Sequence, residues 1–521
     1  MSNQHRLRPN DIEVRVQHAL HADSAPTITP ARTHAPQPAQ PTGRQVNPIK
    51  WVLGCGGLTM VLCTGFTMLV LIVTPILFRA LLPEQQASII RRMPFMAVLQ
   101  PTHAFDFLPT IAATNPNALT LLATPVASLT PVQSPDLSAS DNSLAGGSPS
   151  LAVTVDTPAV TVLPAHPIPH ATLPSQPTAT LPPTLAPTLI PVPTSFHSDG
   201  FKWVPQGWNN CGPANLTQAL QYYSWKGTQD EIAAFLKPNR EDKNVSPWQM
   251  LRYVNEKTAV RALMRVAGDL NLIKRLVSQR FAVILEKGYD VAGEGWMGHY
   301  LTVIGYDDNQ GVLYGLDTYL GDGSDHLGRR EKYDDLDEHW QQFNRLYIVI
   351  YPKEREAELA AILGPHADLT YNAQYALSVA RAEASAKPNN PFAWFNMGSS
   401  FALLGRYKDA ATVFDQAWSV GGGLPFRMLW YQFTPYEAYY NVGNYANVMA
   451  LAQTTLQTTA YVEETFYWRG MAEAALGKTN QAIEDFKRAL IFNPNFSLAT
   501  DKLVQVQNGS FTPPVVAKAR P

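Results

Sequence analysis

The sequence predicts an α+β domain followed by an all-α domain, both held behind a single transmembrane helix and a disordered Pro/Thr-rich tether. Three observations carry this reading. Between residues 199 and 353, runs with helical spacing come first and short strand-type runs follow, which is an α+β order. Between 354 and 507, glycine, alanine and aromatic residues recur, and Gly364 to Gly398 is a 34-residue step. Near the start, Trp51 to Phe78 contains no charged residue and is long enough to cross a bilayer with some tilt.

At 521 residues the chain has room for two or three domains. Its net charge of -2 gives no strong field, so no nucleic-acid partner is expected. Residues 1–50 are rich in His, Pro, Gln and Thr and read as a disordered cytoplasmic segment. The membrane helix is placed at 51–79. A polar region in front and no small-residue cleavage site behind favour an uncleaved signal-anchor over a signal peptide. Cys55 and Cys63 lie inside this run as small apolar residues. Six cations precede it, and no Lys or Arg occurs between Arg92 and Lys202. The positive-inside rule then puts the N-terminus in the cytoplasm and the later domains outside, in a single-pass cell-membrane protein.

Residues 80–198 read as an extracytoplasmic linker. Eighteen of the 42 prolines fall between 101 and 200, and charge is almost absent. Such a segment stays extended, at about 3 Å per residue, and its Ser/Thr/Pro content suits O-glycosylation.

Composition changes at Phe201-Lys202-Trp203. Cys211 is the lone thiol of the folded part. It stands just before Pro213 and a run with helical spacing, Pro213 to Tyr223, so it sits at a helix N-terminus, a position that favours thiolate. Capping boxes at Thr228–Glu231 and Ser246–Gln249 predict two further helices, and another runs from Asp269 to Gln279. Strand-type runs follow at Phe281–Glu286, His299–Tyr306, Val312–Asp317 and Arg345–Tyr351. If Tyr306 pairs with Val312 across the turn, Asp317 faces Leu301 and lies diagonal to His299, within side-chain reach. A lone Cys with His and Asp far downstream is the pattern of a cysteine nucleophile and its partners.

The stretch Gln206-Gly207-Trp208-Asn209-Asn210-Cys211-Gly212-Pro213, with Gly298-His299 and Asp317, resembles the papain-like bacteriocin-processing leader peptidases, cysteine-peptidase family thirty-nine. The resemblance implies a papain-like fold over 199–353 and acyl transfer by Cys211, with His299 as base and acid. It also implies that Asp317 orients the imidazole and that Gln206, with the Cys211 backbone N–H, stabilises the oxyanion. Substrate choice does not carry over, because the transporter domains that accompany those peptidases are absent. Trp208, Trp296 and Tyr300 could wall a cleft or pack as core. Asp322, Asp325 and His326 offer a poor ligand set, and neither metal nor cofactor is expected.

In 354–507, one unit reads Trp394, Gly398, Phe401, Ala410, Phe414, Ala417. Another reads Phe466, Gly470, Ala482, Phe486, Ala489, Pro494. Arg427 to Ala460 and Gly364 to Pro388 fit more loosely. These units resemble tetratricopeptide repeats, which implies stacked helix pairs and a face that binds protein. The alternative is a helical cap that only stabilises the thiol domain. Residues 508–521 read as a disordered tail. The function expected is a membrane-anchored extracytoplasmic cysteine peptidase-like enzyme acting on peptide or protein, with the repeats recruiting substrate or partner. A cell-wall amidase or transpeptidase, and an inactive papain-like domain used as a tethered binding module, stand beside it.

Overall fold

The computed structural model describes residues 191–291 and 295–515, a helix α1 (Asn117–Ala123) and a few positions between 73 and 96. The N-terminal segment 1–50, almost all of 51–79, most of the linker and the last residues of the tail lie outside the described residues. Among the described residues no helix is long and apolar enough to cross a membrane.

Seven strands make one antiparallel sheet: β1 (Ser195–His197), β2 (Val260–Arg265), β3 (Ala282–Val291), β4 (Gly295–Asp307), β5 (Val312–Leu316), β6 (Arg329–Lys332) and β7 (Tyr347–Pro352). The order is β2-β7-β3-β4-β5-β6, and β1 also pairs with β4. The middle strands are buried on both faces, so their side chains divide between two cores by alternation. Ala282, Ile284, Ile348 and Ile350 share one core with α2 (Cys211–Tyr222), α3 (Gln229–Leu236) and α4 (Pro247–Lys257). Val283, Leu285, Tyr347 and Val349 share the other with α5 (Leu270–Ser278), α6 (Tyr333–Gln341) and α7 (Glu356–Leu363). Each fully buried aliphatic side chain contributes about 1.5–3 kcal/mol, so the strand that carries His299 is anchored from both sides.

Local differences from the sequence reading have physical causes. Helix α3 begins after Thr228, but the Thr228 side chain makes no capping bond. At α4 the Gln249 amide does reach back to the Ser246 N–H, at 2.7 Å. The last strand starts at Tyr347 rather than Arg345, because Asn344 and Arg345 have positive φ (53° and 48°). Arg345 instead turns its guanidinium to Asp337 and Glu383. Strand β6 reads Arg-Arg-Glu-Lys and gave no apolar alternation to recognise. Part of the expected linker is structured: β1 pairs with β4, and Ala118 of α1 is fully buried in the core of the helical region.

That region continues with α8 (Leu369–Ala386), the pair α9 (Pro391–Leu403) and α10 (Tyr407–Ser419), a one-turn α11 (Met428–Tyr431), the pair α12 (Thr434–Asn441) and α13 (Tyr445–Thr458), the pair α14 (Glu463–Ala475) and α15 (Thr479–Phe492), and α16 (Ser497–Gln507). Each pair turns on a left-handed glycine, Gly405, Gly443 or Gly477, with φ between 69° and 76°. Gly398 and Gly470 do equivalent work: a Cβ there would lie 2.7 Å from Phe414 and 3.1 Å from Phe486 respectively. Gly364 does not. It ends α7 with φ 53° and has nothing within 4 Å, so the 34-residue step from it to Gly398 is not a structural repeat.

The helical region meets the sheet domain along a polar seam. Asn396 Nδ2 donates to the Gln341 carbonyl at 2.6 Å, and Ser246 Oγ donates to Glu464 at 2.9 Å. Asn493 Nδ2 donates to the Leu236 carbonyl and to Glu463, both at 2.8 Å. Asp242 is buried against Glu463, and desolvation and that neighbouring charge push its carboxyl pKa well up.

Candidate active site

Helix α2 begins at Cys211, and its terminus has no side-chain cap. The free N–H groups of the first turn therefore face the region of the thiol, where negative charge is favoured. Cys211 is partly exposed, as a reacting thiol must be.

His299 lies on β4 and is 3% exposed. Its Nε2 donates to Asp317 Oδ1 at 3.0 Å, which leaves Nδ1 for the other side of the ring. The Cys211 thiol lies within electrostatic reach of the imidazole. Burial opposes the imidazolium, but the Asp317 charge outweighs it, and the pKa of His299 is raised to about 9. Asp317 Oδ1 also accepts from the N–H groups of Tyr319 (2.8 Å) and Leu320 (2.7 Å). Burial favours the neutral acid here too, yet His299 and these donors lower the carboxyl to about 2. The arrangement is a thiol, an imidazole poised to be charged, and a carboxylate fixed on the far nitrogen.

The register that brings Asp317 to His299 differs at the turn from the one read in the sequence. Asp307, not Tyr306, pairs with Val312. A bulge at Ile304 then absorbs one residue, and Val303 pairs with Gly315 and Thr302 with Leu316. Beyond the bulge the register is therefore the expected one. Asp317 falls just past the end of β5, in a bridge to Gly321.

Gln206 stands beside this carboxylate. Its N–H donates to the Thr318 carbonyl and its Oε1 accepts from Thr318 Oγ1, both at 2.8 Å. With Oε1 engaged, the amide NH2 is the end left to donate. Trp208 Nε1 donates to Glu241, Tyr300 is buried, and the Asp322, Asp325 and His326 side chains are taken up in ion pairs with one another and Arg330.

The residues that assemble the site were missed in the sequence. Asn215, one helical turn after Cys211, donates from Nδ2 to the Cys211 carbonyl (2.9 Å), the Tyr300 carbonyl (2.9 Å) and Thr318 Oγ1 (3.3 Å). One amide thus ties the thiol helix, the His299 strand and the Asp317 loop together. Gln218 donates to Thr302 Oγ1 at 3.1 Å and accepts from the Val204 N–H at 2.9 Å, which extends the brace to the Gln206 segment. The available signal was two amides on the buried face of an otherwise apolar helix. Glu286 is also buried near Cys211, and desolvation pushes its carboxyl pKa well up.

Residues 194–348 match the model of the Peptidase_C39-like family. A C39-like peptidase structure from Bacillus anthracis aligns over 30% of this chain and 96% of its own, at 14% identity and a TM-score of 0.25. The MamA RS-1 ArsTM double mutant aligns over 26% of this chain and 86% of its own, at 16% identity and a TM-score of 0.22. No curated protein matches the chain. Residues 194–348 are thus similar to the C39-like peptidase family, within a domain of α+β architecture that is followed by a helical C-terminal region.

Proposed function

We propose that the protein is a cysteine peptidase that cleaves amide bonds through Cys211, His299 and Asp317. The observation that carries the reading is the buried His299–Asp317 bond with Cys211 against the same imidazole. The Cys211 thiolate attacks the scissile carbonyl carbon, and the oxyanion is received by the Cys211 backbone N–H and the Gln206 amide. His299 gives its proton to the leaving nitrogen as the C–N bond breaks, leaving a thioester. Water then attacks the thioester while His299 takes its proton, and the acid and the thiol are released. Asp317 holds the ring and balances its charge.

In this reading the apolar run at 51–79 anchors the chain in the membrane and the Pro/Thr-rich segment carries the catalytic domain away from it. The helix pairs are taken as tetratricopeptide-type repeats. Their first helices and flanking turns face the sheet domain, as Asn396 and Glu464 do, so a recruited protein would use another face. A second reading draws on burial: His299 and Asp317 are 3% and 1% exposed, which also suits a non-catalytic binding module.

Alkylation of Cys211 against pH separates the two, followed by mass spectrometry of the Cys211 peptide in the full-length chain and in His299→Ala. A catalytic pair keeps the thiol reactive well below pH 8 in the wild type and loses this in the variant. Ordinary thiol behaviour in both sinks the peptidase reading.

A further inference from the structure

We propose that the helical region supplies a positioning residue to this active site: Tyr431, which holds the segment of β4 that carries His299. The inference rests on reading Cys211 and His299 as a catalytic pair.

Gly298 precedes His299, and a Cβ there would lie 2.7 Å from Phe343 and 3.0 Å from Tyr431. The strand is therefore pressed against these rings at the residue next to the imidazole. Tyr431 stands edge-on to Trp296 and to Phe343, at 6.0 Å in each case. Trp296 is itself fixed: it stacks on Phe343 at 5.8 Å, its Nε1 donates to Gln342 at 2.6 Å, and its carbonyl accepts from Arg427 at 3.0 Å. Positions 296 and 298 share one side of β4 by alternation, and α11 and the residue before it grip both. The Tyr431 hydroxyl lies at the Gly298 backbone and within electrostatic reach of Cys211.

A cavity of about 1150 Å³ opens beside the same contact, lined by Trp296 and Gln342 from the sheet domain and by Phe392 and Phe426 from the helical region. Removing the Tyr431 clamp frees the His299 segment, and a displacement of about 1 Å near reacting groups costs on the order of 100-fold in rate.

The test is the pH profile of Cys211 alkylation by iodoacetamide in the full-length chain, for wild type, Tyr431→Leu, Tyr431→Phe and the exposed control Tyr461→Leu. The expected result is a shift of the Tyr431→Leu profile to higher pH by about one unit, a roughly fivefold loss at the wild-type midpoint. Tyr431→Phe, which keeps the ring, should recover part of this, and Tyr461→Leu should match wild type. A folded Tyr431→Leu with the wild-type profile overturns the proposal. Should Tyr431→Leu fail to fold, Tyr431→Met, which also removes the ring, decides: a shifted profile supports the clamp and an unshifted one overturns it. If the wild type itself labels as an ordinary thiol, the catalytic reading and this inference fall together, an outcome distinct from a reactive wild type with an indifferent variant.

Discussion

The helical region and the sheet domain use their interiors differently. The helical core is aromatic: Trp394, Phe395, Phe401, Phe414, Trp418, Tyr436 and Tyr439 fall in one cluster, and neighbouring helices supply most of the contacts. The middle of the sheet domain, by contrast, carries Asn215, Gln218, Thr302 and Thr318 in a bonded network beside Cys211, with His299 and Asp317 buried as well. Buried amides contribute little net stability when paired, about 1 kcal/mol per bond, but cost more when left alone. They fix geometry. The difference teaches that one region is built to be stable through volume and local contact, and the other to hold reacting groups through direction.

Substitutions can break this contrast. The largest effect is expected from Cys211→Ala, which should reduce peptide cleavage by about 10⁴-fold or more while the melting temperature barely moves. A peptide cleavage assay beside a melting curve checks it, and retained turnover would remove Cys211 as nucleophile. Asp317→Asn comes next, with a loss of about 10²–10⁴-fold. It should also move the alkaline fall of activity to lower pH, because the pKa of His299 is raised to about 9 chiefly by Asp317 overcoming burial.

The same pair sets a stability window. The contribution of His299 is complete below its ordinary value of 6.5 and is lost as pH rises through about 9. The contribution of Asp317, whose pKa is lowered to about 2, is complete above 3.8 and is lost as pH falls through about 2. Wild type minus Asp317→Asn stability, from denaturant titrations, should therefore peak between about pH 4 and 6.5. A flat difference across that range would contradict the pairing.

Asn215→Leu removes the side-chain bonds to the Cys211 and Tyr300 carbonyls and to Thr318 Oγ1, and should cost about 1–3 kcal/mol. It should lower activity beyond its effect on folding, since it loosens the brace between helix, strand and loop. Gly398→Ala gives the smallest effect on activity. Its Cβ would meet Phe414 at 2.7 Å and should cost about 1–3 kcal/mol in stability, with turnover per folded molecule unchanged. A drop in turnover per folded molecule would mean that the α9–α10 contact is coupled to the site more tightly than its distance along the chain suggests.

The parts of this molecule that could be read in the sequence are those set by local pattern. The start of α2 at Cys211, the helix after Asp269 and the His299 strand follow from period and punctuation. Of the residues singled out from order and spacing, His299 and Asp317 are hydrogen-bonded and Cys211 is within electrostatic reach of the imidazole; their roles are the function proposed above. What was not legible depends on distant partners. Asn215 and Gln218 read as ordinary helix residues until Tyr300, Thr302 and Thr318 are brought against them from 84–103 positions away. Tyr431 belongs to a helix of one turn with no pattern of its own, and α1 sits in a proline-rich context that masks it. Gly364 was misread for the opposite reason: its spacing matched a repeat, but its backbone ends a helix.

The bulge at Ile304 has a consequence for how such a site is kept. Side chains alternate along a strand, so a one-residue slip exchanges inside for outside. Had the pairing of Asp307 with Val312 continued unbroken, Leu316 would not face Thr302, and Asp317 would carry the opposite parity from the one it has. The extra residue acts as an odd–even correction between turn and triad. Deleting Ile304 alone should remove the bulge while leaving Asp307 paired with Val312 and Thr302 with Leu316, and so keep Asp317 at His299, whereas losing the bulge with Ile304 still present would slip the pairing by one residue and part them. The integrity of the site is in this sense a matter of register as well as chemistry: it depends on which residues stand opposite one another across the strands, and not only on which residues they are.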